Sequence, residues 1–126
     1  MTAEVLAFLG GEPERIALFE AFEAAVLACG ESAMAVTKSQ ISWGNPKKFA
    51  FFSLHHCPAG CAMASFGLGR RADHPAIFQA VEPYPGRWTH HVRLSRPGDV
   101  GPELRQWLEE AYAFARTKGR APAGGR

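Results

Sequence analysis

Apolar residues recur at two different spacings along this chain, and the change of spacing divides it. Ile16, Phe19, Phe22, Val26 and Cys29 follow one another every three or four positions, the period of one helix face. Pro13 stands where a first helical turn accepts proline and Gly30 where a helix stops, so the spacing predicts a helix over 13–29. Leu104, Trp107, Leu108, Ala111 and Ala115 repeat the pattern after Gly101-Pro102-Glu103, and Gly119 closes that second helix. A short apolar run from Val5 to Leu9 precedes the first helix and is expected to pack on the same domain.

Between the helices the pattern changes to runs bounded by turn residues. Strands are expected over Ala33–Trp43, Phe49–His56, Ala62–Leu68 and Arg87–Leu94, with Pro75–Glu82 readable as a short strand or a helical turn. Gly44-Asn45-Pro46, Cys57-Pro58-Ala59-Gly60-Cys61 and Pro83-Tyr84-Pro85-Gly86 supply the turns. The fold this implies is α+β: an antiparallel sheet of four to five strands with N- and C-terminal helices packed on one face. Residues 1–119 form the domain and 120–126 a flexible C-terminal tail.

Turn positions set a trial register, and register sets which side chains share a face. With Cys57 opposite Cys61, Phe52 meets Phe66 and Leu54 meets Ala64 on an almost wholly apolar side that the helices would cover. Phe49, Phe51, Ser53, His55, Met63 and Ser65 then fall on the other side. With Trp43 opposite Lys48, Thr37, Ser39 and Ile41 join the core side, and Lys38, Gln40 and Ser42 the open side. The last strand carries two adjacent histidines, which must point to opposite faces. His90 falls with Trp88, Val92 and Leu94 in the core, together with Ile77 and Val81. His91 falls with Thr89 and Arg93 outside, together with Phe78.

The composition sharpens this. At 126 residues with 47% hydrophobic content the chain is long enough to bury a core, and no apolar run approaches membrane-spanning length. The start lacks the basic and long apolar regions of a secretory signal, and three cysteines without framework spacing fit a reducing cytoplasm. Residues 1–37 carry one basic and six acidic side chains, whereas residues 38–96 carry eight basic and two acidic ones. A basic middle fits an anionic partner or a solvated surface that carries charges of both signs, and Lys38 and Arg93 fall on the open sheet face. Basic residues interleaved with aromatics on a sheet are one way to hold phosphates and stack rings.

The candidate ligand-binding residues are therefore Lys38, Gln40, Phe49, Phe51, His55, His91 and Arg93, with Lys47 and Lys48 adding charge. The expected role is a non-catalytic binding module for an anionic or aromatic small ligand or a nucleic acid. Alternatives are a small enzyme using His91 or His55 as acid–base residue, and a structural homodimer. No phosphate-binding glycine loop, nucleophile elbow or paired carboxylates occur in the central region. His55, Cys57 and Cys61 are the only grouping with metal-ligand character, and their spacing is not that of a zinc site, so neither metal nor cofactor is expected.

Four segments in this order carry a resemblance: Val36-Thr37-Lys38-Ser39-Gln40-Ile41, Phe49-Ala50-Phe51, Tyr84-Pro85-Gly86-Arg87-Trp88-Thr89-His90-His91, and Trp107-Leu108-x-x-Ala111-Tyr112. The chain resembles the bacterial domain of unknown function 5655 from about Phe8 to Lys118. The resemblance implies a small cytoplasmic domain, stand-alone or fused. It implies no activity and no catalytic residue, and the Cys57–Cys61 turn lies outside its motifs.

Overall fold

The computed structural model describes residues 1–54, 57, 58 and 60–117. Three helices, α1 (Ala3–Leu9), α2 (Pro13–Leu27) and α3 (Pro102–Thr117), accompany six strands. The strands are β1 (Ala33–Val36), β2 (Gln40–Gly44), β3 (Lys48–Ser53), β4 (Ala62–Leu68), β5 (Ile77–Tyr84) and β6 (Arg87–Leu94). They form one sheet in the order β1-β2-β3-β4-β6-β5, and every neighbouring pair is antiparallel. The architecture is the expected α+β one, with one strand more than expected.

The extra strand arises where one long strand was expected over Ala33–Trp43. The Thr37 hydroxyl accepts the backbone N–H of Ser39 (3.3 Å) and of Gln40 (3.2 Å) and donates to the Gln40 carbonyl (3.1 Å). A threonine hydroxyl that mimics backbone in this way makes a tight turn. It splits the segment into the β1–β2 hairpin, so Thr37 and Ser39 stand exposed in the turn instead of joining the core side.

α2 and α3 cover one face of the sheet. Phe19 and Phe22 of α2 pack against Trp43 of β2 and Phe52 of β3, with ring centroids 5.6–5.9 Å apart. Such offset and edge contacts add to the area term of burial. Farther along, His90 stacks on Phe66 at 5.1 Å and Phe66 on Trp107 of α3 at 5.6 Å. Ile41, Ala50, Phe52, Ala64, Phe66, Val92 and Leu94 are all buried on this side. The run Val5–Leu9 forms α1, capped by the Thr2 hydroxyl, which accepts from the Val5 N–H at 3.2 Å; Val5 and Leu9 are buried.

Observed pairing differs from the trial register by two residues. Phe52 faces Ala64 rather than Phe66, and Trp43 faces Ala50 rather than Lys48. Pairing between β3 and β4 begins only at Ser53 and Met63, because Cys57 and Cys61 make local turn bonds to the Leu54 and Pro58 carbonyls. A slip of two leaves every residue on its face, so the core and open assignments survive it. Bulges do not leave them intact. Phe49 is an extra residue between the Trp43–Ala50 and Gly44–Lys48 pairs. Its ring is buried and meets Tyr112 of α3 edge-on at 5.0 Å, so Phe49 belongs to the core and not to the open face. In β5, Phe78 is extra between the Ile77–Val92 and Gln79–His91 pairs. That shift sets Val81 opposite Thr89 on the open side, 40% exposed, where the unbroken alternation had placed it in the core.

The connection from β4 to β5 passes β6 on the helix side. His90 is fully buried, and its Nε2 accepts the Ala72 N–H at 2.9 Å. Gly69 lies so close to Phe114 of α3 that a β-carbon there would come within 2.8 Å of the ring. Arg70 makes a double contact with Glu110 of α3, both at 2.8 Å. Loop 69–76 is thereby tied to α3 and β6, which leaves the opposite face of the sheet clear of it.

Candidate functional site

The uncovered face holds a cavity of about 660 Å³. Its floor is the alternate set of side chains on β2, β3, β4 and β6: Gln40, Phe51 and Ser53, Ser65, then Arg87, Thr89 and His91. Its rim comes from three other places: Lys38 and Ser39 from the β1–β2 turn, Leu54 after β3, and Phe8 from α1. The strand alternation that buries Phe52, Phe66 and His90 on one side delivers these residues to the other.

Two local arrangements organise the floor. Ser65 and His91 are direct cross-strand partners, and the Ser65 hydroxyl lies 2.7 Å from His91 Nδ1. Burial pushes the His91 imidazole below its ordinary pKa, because a charged ring would lose its hydration there. The ring is therefore neutral at neutral pH. Beside this pair, Gly67 faces Thr89. A β-carbon at Gly67 would come within 2.6 Å of Arg87 Nη2 and 2.7 Å of its Cζ, so the guanidinium lies flat over the glycine backbone. The missing side chain at Gly67 makes the room that Arg87 occupies.

No aspartate or glutamate lines the cavity among the described residues, whereas Lys38 and Arg87 both do. The wall between the cations is polar but uncharged: two strand serines, a threonine, a glutamine amide and a neutral imidazole. Phe8, Phe51 and Leu54 supply apolar surface on the side nearer α1 and β3. An anion with an apolar portion matches this distribution of groups.

Of the seven residues singled out from the sequence, Lys38, Gln40, Phe51 and His91 line the cavity. Phe49 is withdrawn into the core by its bulge. Arg93 is exposed, and its Cζ stands 4.5 Å above the ring of Phe78, outside the cavity lining. His55 lies outside the described residues. Lys47 and Lys48 sit beyond the end of β2 opposite to Lys38, so the basic residues do not form one stripe. Arg87 is the principal residue missed. Its signal was present in the sequence: Arg87, Thr89 and His91 alternate along one strand and must share a face.

Two of the thiols, Cys57 and Cys29, are poorly activated for attack on a substrate. Burial and a hydrogen bond that its thiol gives to Cys61 push Cys57 up to about 11, against the opposing pull of Arg93 and Arg15. Burial and the Glu109 carboxylate push Cys29 up to about 11 as well. Such thiols stay protonated at neutral pH and are poor nucleophiles. Among the described residues no three histidine, cysteine, aspartate or glutamate side chains lie together as a metal site. No helix among the described residues is long and apolar enough to cross a membrane.

Residues 7–115 match the family described as Domain of unknown function (DUF5655). The chain belongs to this family. No curated protein and no solved structure matches the chain. All the lining residues, from Phe8 to His91, fall within the family match, so the cavity belongs to the DUF5655 portion of the chain.

Proposed function

We propose that this DUF5655 protein binds a small anionic ligand with an apolar portion, in the cavity on the uncovered face of its sheet. The observation that carries this reading is the lining itself. Arg87 and Lys38 stand over a floor of neutral hydrogen-bonding groups, with Phe8 and Phe51 alongside and no carboxylate among the described lining residues. A carboxylate or phosphate gains charge-assisted hydrogen bonds from a guanidinium and an ammonium, and a ring or alkyl group covers the apolar wall. A cavity of about 660 Å³ matches a metabolite-sized molecule. A nucleic acid would need phosphate contacts along a track, and here Lys47, Lys48 and Arg93 lie away from the cavity, which favours the small ligand.

Native mass spectrometry of the protein purified at low salt tests the reading. A stoichiometric adduct that survives in the wild type and is lost in Arg87→Ala and Lys38→Ala supports it. Equal retention by the wild type and both variants overturns it, as does a ligand-free wild type that none of a panel of aryl and alkyl carboxylates and phosphates stabilises against heat.

A further inference from the structure

The ligand reading explains Arg87, Lys38 and the apolar wall. It does not explain why the middle of the floor is a serine hydroxyl placed against an imidazole nitrogen. Ser65 and His91 stand opposite each other on β4 and β6, 2.7 Å apart, and both line the cavity. A hydroxyl and a base at that separation are the two groups that nucleophilic acyl transfer needs. The rigid centre of a sheet fixes their relative position more firmly than loops would.

We propose that Ser65 and His91 form a nucleophile–base pair that cleaves a carboxylic ester bearing an anionic group. This rests on the cavity being a ligand site and names what the ligand is. In the reactive tautomer Nε2 carries the imidazole proton and the Ser65 hydroxyl donates to Nδ1. Ser65 Oγ bonds to the ester carbonyl carbon as its proton passes to Nδ1. The carbon–oxygen bond to the leaving group breaks, and Nδ1–H protonates the departing alkoxide. Water then repeats the sequence on the acyl-serine: its proton goes to Nδ1, its oxygen bonds to the carbonyl carbon, and Ser65 Oγ leaves and recovers the proton. The products are an alcohol and a carboxylic acid, and water is the only co-reactant.

The surroundings suit each step. Burial depresses the His91 pKa, so the base is free of its second proton at neutral pH. The Gln40 amide and the Ser53 and Thr89 hydroxyls line the same cavity and are the donors on hand for the charge that develops on the carbonyl oxygen. Arg87, flat on Gly67 two residues along β4 from Ser65, holds the substrate's own anion. In this arrangement Arg87 is the specificity-determining residue and Ser65 the one that is acylated.

A fluorophosphonate probe and two chromogenic esters test the proposal on the full chain. The expected result is one covalent adduct on the wild type, mapped to Ser65. Turnover of 4-nitrophenyl hemisuccinate is expected to exceed that of neutral 4-nitrophenyl acetate, and to fall roughly 100-fold or more in Ser65→Ala and His91→Ala. Arg87→Ala is expected to erase the preference for the anionic ester. Absence of an adduct on the folded wild type overturns the proposal, as does labelling elsewhere or turnover that persists in Ser65→Ala. Retention of anion binding in that event would leave the ligand reading standing, whereas loss of both would remove both. Mapping the adduct on the wild type needs no variant to fold.

Discussion

The two faces of this sheet are built from the same strands and obey different physics. On the covered face, Phe66 and His90 pair across β4 and β6 and stack on each other, and Phe66 stacks in turn on Trp107. One residue along each strand, Gly67 and His91 point the other way, to a cavity with a guanidinium and a serine hydroxyl. His90 and His91 are neighbours in sequence, and burial lowers the pKa of both. Their uses diverge because of what each nitrogen meets. His90 Nε2 accepts a backbone N–H from the β4–β5 connection and so holds a loop in place. His91 Nδ1 meets a hydroxyl on the wall of a cavity. The same side chain holds a loop where its partner is backbone and lines a cavity where its partner is a hydroxyl.

Paired substitutions on neighbouring residues break this comparison most directly. Phe66→Ala empties the centre of a three-ring stack, and urea denaturation is expected to show a loss of about 3–5 kcal/mol. His90→Leu keeps the bulk and leaves the buried Ala72 N–H without its acceptor, with an expected loss of about 1–3 kcal/mol in the same assay. Equal, small effects of these two would mean that the covered face is not the stabilising one.

The histidines also set a pH dependence whose sign follows from burial. Each folded-state pKa is depressed below the ordinary 6.5, so the unfolded chain binds protons that the folded chain refuses. That contribution to stability is fully present above about pH 6.5 and is lost as pH falls below it. The urea midpoint is expected to drop between about pH 7 and about pH 5, and His91→Gln to flatten part of that slope.

On the open face the expected stability changes are smaller and the functional ones larger. Gly67→Ala pushes the Arg87 guanidinium off its seat, where a β-carbon would come within 2.6 Å. The far end of a flexible side chain can yield, so stability should change by no more than about 0.5 kcal/mol while anion binding is lost. Arg70→Ala removes an exposed ion pair with Glu110 and should cost no more than about 1 kcal/mol, with binding unaffected. Scanning calorimetry alongside a binding assay separates these two variants.

Much of the fold was legible because burial imposes periods. The stripe Leu104, Leu108, Ala111 and Ala115 marked α3, and Phe19, Phe22 and Val26 marked α2. The alternation of β6 separated His90 from His91 correctly because neighbouring side chains of a strand point to opposite faces, and the two-residue slips in β2–β3 and β3–β4 moved no residue to another face. Single extra residues were illegible. Phe49 and Phe78 each sit at a bulge, and a bulge inverts the alternation locally without any change in composition. Arg87 shares a face with Thr89 and His91 by the same alternation, so its side was legible; its seat over Gly67 was not, because that is a contact between strands.

The sequence by itself determined the α+β class, the family, the two packing helices and the opposite fates of the tandem histidines, all properties of local period and local turn chemistry. The tertiary structure alone decided that Thr37 turns one expected strand into two, that the β4–β5 connection crosses on the helix side, and that Ser65 meets His91. The physical reason is range. Periodicity is written along the chain, whereas a strand's neighbour, a loop's side of the sheet and a hydrogen bond between residues 26 positions apart are settled only when the strands pair.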